Sequence, residues 1–291
     1  MTRSSTLSVL FILLLIAPMG MALGQTFDRV AAFGGEEPDL GRAVATDPAG
    51  NVYTVGMFRD SLDADPGPGT SWLVSERVSG SEAFVQKFDP AGNLLWAWSF
   101  GGTKAETVNP VSIDVDSLGR VVIAGIFEDS IDVAPDTPQV FLEPGGGSDI
   151  FVLKLEADGT FDRAIAFTGP GEDVPQSVVL DQDGNVFVSG YFSSTTGFGL
   201  ISPGVPNTQT ASGGRDIFIA KLTPTLSVTW VRTVNSTGNE DATGLDVEGD
   251  GSSIYLTGTF QGTMDLDPGP SDLDLTSNGF DDVFVLKLDA N

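Results

Sequence analysis

Aspartates that alternate along a short extended stretch beside a rigid turn are the residues of this chain best placed to do chemistry. Ser61-Leu62-Asp63-Ala64-Asp65-Pro66-Gly67-Pro68 recurs as Thr263-Met264-Asp265-Leu266-Asp267-Pro268-Gly269-Pro270. A weaker copy is Ser130-Ile131-Asp132-Val133-Ala134-Pro135-Asp136, and the third repeat has no such text at 193–210. Side chains on a strand alternate with period two, so Asp63 and Asp65 point the same way, as do Asp265 and Asp267. Two carboxylates on one side, joined by backbone carbonyls of the turn, suit a hard cation, and Ca²⁺ is the candidate ion. The competing reading is a capping turn that stiffens a long insert. Asp181-Gln182-Asp183-Gly184-Asn185 has the look of a calcium loop, but the equivalent turns Asp47–Asn51 and Asp116–Arg120 lack the second carboxylate. That points to an Asx turn.

Other chemistry is excluded by residue type. The chain has no histidine and no cysteine. Ser-His-Asp and Cys-His nucleophiles, histidine-bound zinc, haem and iron–sulfur ligation are therefore out of reach. No phosphate-binding glycine loop of the Gly-x-x-x-x-Gly-Lys-Ser/Thr type occurs. A carboxylate-pair glycosidase stays open because acids are abundant, yet no pair stands out. Trp72 is the one tryptophan expected in a loop where a sugar would stack.

These residues are placed by a repeat. Phe33, Phe100, Phe167 and Val234 are each 67 residues apart, and Phe84, Phe151, Phe218 and Phe284 follow the same period to within one residue. A long fixed period means that each unit buries its apolar face only by stacking on copies of itself. In the first copy, Arg42–Asp47, Asn51–Phe58, Ala83–Asp89 and Leu94–Phe100 alternate in period two and are joined by Asx/Gly turns, with a Gly/Pro/Ser/Asp-rich insert at 59–80. Four such antiparallel strands are one blade of a β-propeller. Gly56, Gly125, Gly190 and Gly258 stand inside second strands and mark a bulge or a close backbone approach, expected near the propeller axis or the next blade. Lys87, Lys154, Lys221 and Lys287 stand mid-way along third strands, where blade stacking would bury them. Each then needs a carboxylate or carbonyl: Glu82, Asp149, Asp216 and Asp282, five residues earlier, or a group on a neighbouring blade.

The two ends complement each other. Residues 25–33 read as a fourth strand with no third strand before it, and the chain stops just after a third strand. Phe27-Asp28-Arg29 also recurs as Phe161-Asp162-Arg163. The expected fold is all-β: a four-bladed propeller with repeats at about 35–101, 102–168, 169–235 and 236–291, closed by pairing strand 25–34 with the last blade. A monomer is the expected state. The alternative is a half-ring that pairs with a second copy.

The repeat text resembles the bacterial secreted "seven-bladed β-propeller" (SBBP-type) repeat family. The matching residues are Gly50-Asn51-Val52-Tyr53 with Gly56-x-Phe58, Gly147-Ser148-Asp149-Ile150-Phe151-Val152-x-Lys154-Leu155, Gly92-Asn93-x-x-Trp96 and Gly101-Gly102. They cover nearly all of 26–291. The resemblance implies fold and export, and no reaction. Only four copies are present, each lengthened by its insert.

Residues 1–24 read as a secretory leader: Arg3, the apolar run Leu10–Ile16, and small residues at Ala22 and Gly24, with cleavage expected after Gly24. The expected location is outside the cytoplasm. With 40 acidic and 14 basic residues the net charge is −26, which excludes a nucleic-acid or anionic-membrane binder. By propeller topology, the inserts share one face with the inter-repeat loops that carry Glu36, Glu37, Asp39, Glu106, Glu172, Asp173, Glu240 and Asp241. A non-catalytic module that binds a protein or a glycan through this acidic face is the expected function. A carboxylate-based glycan-active enzyme and a purely structural envelope component are the alternatives.

Overall fold

In this computed structural model residues 29–75, 80–102, 108–134, 138–202, 205–267 and 273–290 are described. The leader, Gln25–Asp28, Glu106 and the Pro268-Gly269-Pro270 turn lie outside them. Two compact units divide the chain between Ala31 and Ala32, and every strand belongs to the second. The fold is all-β and propeller-like, with antiparallel pairings throughout and no helix among the described residues.

The first repeat runs β1 (Leu40–Thr46), β2 (Val52–Phe58), the short β3 (Ser61–Asp63) and β4 (Trp72–Val74), β5 (Glu82–Phe88) and β6 (Leu94–Gly102). The second runs β7 (Asn109–Val115), β8 (Val121–Phe127), β9 (Ile131–Asp132), β10 (Phe141–Leu142), β11 (Asp149–Leu155) and β12 (Phe161–Phe167). The third runs β13 (Asp173–Leu180), β14 (Val186–Phe192), β15 (Thr195–Ser202), β16 (Val205–Thr210), β17 (Asp216–Leu222) and β18 (Val228–Ser236). The fourth runs β19 (Glu240–Val247), β20 (Ser253–Phe260), β21 (Thr263–Asp265), β22 (Asp274–Thr276) and β23 (Asp282–Asp289). In each repeat the strands on either side of the insert pair, giving meanders β1-β2-β5-β6, β7-β8-β11-β12, β13-β14-β17-β18 and β19-β20-β23. Among the described residues no strand pairs with the outer edge of β23, and residues 25–28 of the expected closing strand lie outside them.

Each insert is a β-hairpin that reaches back to the preceding repeat. Gly101 and Gly102 of β6 pair with Asp132 and Ile131, and Asn235 and Ser236 of β18 pair with Asp265 and Met264. Single bridges Gly34–Asp63 and Thr168–Gly197 do the same at the other two junctions. The insert thus extends its neighbour's sheet, and covers an edge that would otherwise stay open.

The sheets stack face to face, and the core lies in the seams. Val55, Ala83 and Val85 of the first sheet pack on Val121, Ile123, Phe151 and Leu153 of the second. Ile150 and Val152 pack on Val188, Phe218 and Ala220 of the third, and Ile217 and Ile219 on Leu256, Phe284 and Leu286 of the fourth. A strand covered on both sides must be apolar on both, which is why β5 and β11 are buried at every position.

The repeated lysines pin these seams. Lys87 Nζ donates to the Ala157 carbonyl at 3.3 Å, Lys154 to Pro224 at 2.7 Å and Lys221 to Ala290 at 3.3 Å. Each acceptor lies 69 or 70 residues on, just past the third strand of the next repeat. The partner is therefore a carbonyl on the neighbouring sheet rather than the acid five residues earlier. Lys87 also lies over the Tyr53 ring, and Lys221 over Phe187.

The repeated glycines are crowded from within their own sheet, not from the axis or the next sheet. Each faces a bulge in the first strand, for Gly125 the bulge between Pro110 and Ser112. A Cβ at Gly125 would come within 2.5 Å of the Asn109 carbonyl oxygen and of the Phe151 ring. Gly125→Ala is expected to destabilise the fold by roughly 1–3 kcal/mol. Gly41→Ala, with nothing within 4 Å of the new methyl, is expected to cost less than about 0.5 kcal/mol. Denaturant midpoints of the two variants check this; equal midpoints would contradict the crowding.

Candidate functional site

The candidate site is the rim where insert hairpins meet inter-repeat loops. The two are in contact, as topology requires. Asp173 N donates to the Ser148 carbonyl at 2.7 Å and Glu240 N to the Arg215 carbonyl at 2.9 Å. Gly145, Gly146 and Gly147 lie against Gly169, Pro170 and Gly171 so closely that a Cβ at any of them would meet backbone.

The repeated acid that opens each third strand clamps this rim. Asp149 accepts from Gly145 N at 2.6 Å through Oδ2 and from Gly169 N at 2.8 Å through Oδ1. Asp216 accepts from Ser212 N and Oγ, and Asp282 from Asn278 N. Asp149 thereby ties the end of its own insert to the loop that leaves its own sheet.

Asp149 and Asp216 each meet a second buried acid from that loop, Asp173 and Glu240 respectively. Asp173 and Glu240 occupy one position in successive repeats, and both are fully buried, as are Asp149 and Asp216. Burial, and then the neighbouring Asp149 charge, push Asp173 up to about 6 against the donation from Thr196 Oγ1. Burial, and then Asp216, push Glu240 up to about 7 although Ser236 Oγ donates to it. Asp173 Oδ2, Asp216 Oδ1 and Glu240 Oε2 are buried without hydrogen-bond partners among the described residues. Two carboxylates that share a dry site cannot both ionise cheaply, and a single retained proton satisfies both.

Of the acids expected on this face, Glu36, Glu37 and Glu172 are exposed, Asp39 and Asp241 half-buried, and Asp173 and Glu240 turned inward. Arg215 sits over the Tyr191 ring at 4.5 Å and pairs with Asp241 at 3.5 Å. The inward turn was not readable from the sequence, because it depends on which loop packs on which.

The candidate metal ligands lie at the base of the hairpins. Asp63 Oδ1 accepts from Asp65 N and Ser71 N at 3.2 and 2.8 Å, and Asp265 Oδ1 from Asp267 N and Leu273 N at 3.0 and 2.8 Å. Asp132 Oδ1 holds Ala134 N and Val140 N in the same way. Asp65 Oδ1 accepts from Gly67 N. One oxygen of each repeated aspartate therefore closes the hairpin by accepting two backbone N–H groups. Asp63 and Asp65 stand on the first insert and Asp265 and Asp267 on the fourth, and no group of three or more metal-ligating side chains occurs among the described residues. A cation would have to be held by the remaining carboxylate oxygens and by carbonyls.

The hairpins also carry apolar side chains into solvent, which the sequence reading passed over apart from Trp72. Trp72 is 55% exposed, Phe141 48%, Leu200 51% and Leu275 44%, one from each of the four inserts. Trp96 and Trp98 line a cavity of about 320 Å³ with Ala134 of the second hairpin, Asp158 and Phe161. Trp96 Nε1 donates to the same Ala157 carbonyl as Lys87.

No family model matches the chain. Over 247 residues it is 25% identical to an uncharacterised WD repeat-containing protein of Acanthamoeba polyphaga mimivirus, covering 76% of this chain. Over 180 residues it is 26% identical to the regulatory protein FlaEY of Caulobacter vibrioides, covering 62%. The chain spans 17% of the length of either relative. A repeat-containing relative agrees with the repeat architecture. A solved protein of unknown function from Bacteroides caccae overlaps 76% of this chain and 71% of its own at 12% identity, with a TM-score of 0.36. Sqt1 from Chaetomium thermophilum overlaps 80% of this chain and 70% of its own at 9% identity and 0.27. Scores this low carry no argument.

The buried pairs fix a pH dependence. A carboxyl whose folded pKa is raised contributes stability that is fully present below its unfolded pKa and is lost as pH rises through the folded value. For Asp173 and Glu240 the window runs from about 4 up to about 6 and about 7. The melting temperature is expected to fall across that window, and Asp173→Asn with Glu240→Gln is expected to flatten the fall. An unchanged pH profile in the double variant would show that neither pair holds a proton.

Proposed function

We propose that this chain is an exported, non-catalytic scaffold of the secreted SBBP-type repeat class that binds a protein or a glycan through its hairpin rim. The observation that carries the reading is the exposure of Trp72 and Phe141 at one register position of the first two hairpins, and of Leu200 and Leu275 on the other two, with Glu36, Glu37 and Glu172 exposed on the inter-repeat loops. Exposed aromatic and aliphatic groups cost solubility, and apolar side chains carried on loops among charges are what a partner surface looks like. The sheets repeat while the hairpins differ in length and text, so specificity lies in the hairpins. The acidic surround favours a basic protein, with association that weakens as salt rises. A glycan would instead stack on Trp72 or Phe141. A glycan-active enzyme is not favoured: Asp173, though shifted upward as an acid catalyst would be, is fully buried.

A glycan panel and a panel of basic proteins, read by calorimetry, test the reading. A Trp72→Ala, Phe141→Ala, Leu275→Ala variant is expected to lose at least tenfold in affinity for any partner found. Unchanged affinity would move the site off the hairpins.

Calcium forms a separable part of the proposal, with Asp63, Asp65, Asp265 and Asp267 as ligands. Asn in place of Asp63 and Asp265 keeps the Oδ1 acceptor that closes each hairpin and removes the charge. Millimolar calcium, compared with chelator, is expected to raise the melting temperature of the natural chain and not of the Asp63→Asn, Asp265→Asn variant. No calcium effect on the natural chain would leave these aspartates as hairpin caps.

A further inference from the structure

The fourth sheet ends in a face built for a seam that the described residues do not form. Ala83 and Val85, Ile150 and Val152, and Ile217 and Ile219 are all fully buried between successive sheets. Their counterparts in β23, Val283 and Val285, are 73% and 77% exposed. The counterpart lysine, Lys287, has a side chain 57% exposed and lies 3.9 Å from Glu248 of its own sheet, where Lys87, Lys154 and Lys221 reach the next sheet. Tyr255 lies under Lys287 as Tyr53 lies under Lys87. An aliphatic pair and a lysine in this register form a seam face three times over in the same molecule, twice with an aromatic ring under the lysine.

The first sheet carries the matching half. Phe33 meets Phe84 edge-on at 6.0 Å, as Phe100 meets Phe151 at 5.5 Å and Phe167 meets Phe218 at 6.2 Å. Gly34 bridges Asp63 as Gly101 pairs with Asp132. Phe33 therefore stands where the outer strand of a preceding sheet would stand, with Phe58, Leu62 and Phe84 packed beneath it. The third strand of such a sheet would place Val283 opposite Phe33, as Ala83 faces Phe100, Ile150 faces Phe167 and Ile217 faces Val234.

We propose that two copies of this chain close into one ring, each supplying β23 to the Phe33 strand of the other. The rotation at a seam is set by packing and by the lysine–carbonyl bond, and three such seams leave the fourth face open within one chain. A second copy completes the ring without altering any of them. The contact is isologous under a twofold axis and yields two identical new seams. Eight sheets fall within the range that propellers adopt. In each new seam Lys287 would donate to the Pro90 carbonyl of the other copy, the counterpart of Ala157, Pro224 and Ala290.

The absence of native cysteine makes the test direct. In a Phe33→Cys, Val283→Cys variant of the exported chain, facing strand positions lie within disulfide reach. Oxidation is expected to give a covalent dimer on a non-reducing gel. Light scattering of the unsubstituted chain is expected to give twice the single-chain mass. Val285→Glu changes a residue that is exposed in the single chain; it is expected to give a folded monomer by circular dichroism. A cross-link within one chain would overturn the proposal in favour of a four-sheet ring. A monomeric natural chain without a cross-link, or a Val285→Glu variant that remains dimeric, would overturn it as well.

Discussion

A buried ammonium group that must find an oxygen sets the geometry of this molecule. The position of Lys87, Lys154 and Lys221 lies between two sheets, where a charge without a partner would cost several kcal/mol. Each donates to a carbonyl just past the third strand of the next repeat, and Lys154 also lies 3.9 Å from Asp162 Oδ2. That bond forms at one offset and one rotation of the two sheets. Aliphatic surfaces alone would slide, because their attraction is roughly proportional to area and has little direction. The lysine thus turns a non-directional stack into a fixed one.

The rim follows from the same stacking. Once the seams are fixed, the end of each insert lies on the next inter-repeat loop, and glycines at 145–147 and 213–214 are the residues that leave room for this. Backbone N–H groups in such tight loops need acceptors, and Asp149, Asp216 and Asp282 supply them. The cost falls on Asp173 and Glu240, which are brought beside those carboxylates with water excluded. The rim is therefore anionic outside and carries acids pushed upward by burial inside. Its binding character rests on the hairpin side chains that the clamps leave pointing outward.

The same aspartate type does three jobs, separated only by surroundings. Asp47, Asp116 and Asp181 fold local turns by accepting from residues two and four positions on. Asp63, Asp132 and Asp265 close hairpins across eight residues. Asp149 joins segments 20 residues apart. A net charge of −26 is thus partly structural.

Much of the architecture was legible in the 67-residue period and the period-two alternation, because both report which faces must be covered. The strands, their order within a repeat and the reach of the inserts toward the inter-repeat loops follow from that local information. So does the need of the buried lysines for an oxygen. What the oxygen is could not be read, since Ala157 lies 70 residues from Lys87 and carbonyls leave no mark in a sequence. The crowding of Gly125 by its own sheet, the burial of Asp173 and Glu240, and the outward turn of Phe141 and Leu275 likewise depend on contacts between segments far apart in the chain. The sequence by itself determined what each repeat must bury; only the tertiary structure decided which partner meets each buried group, because that choice is made by packing between repeats and not within one.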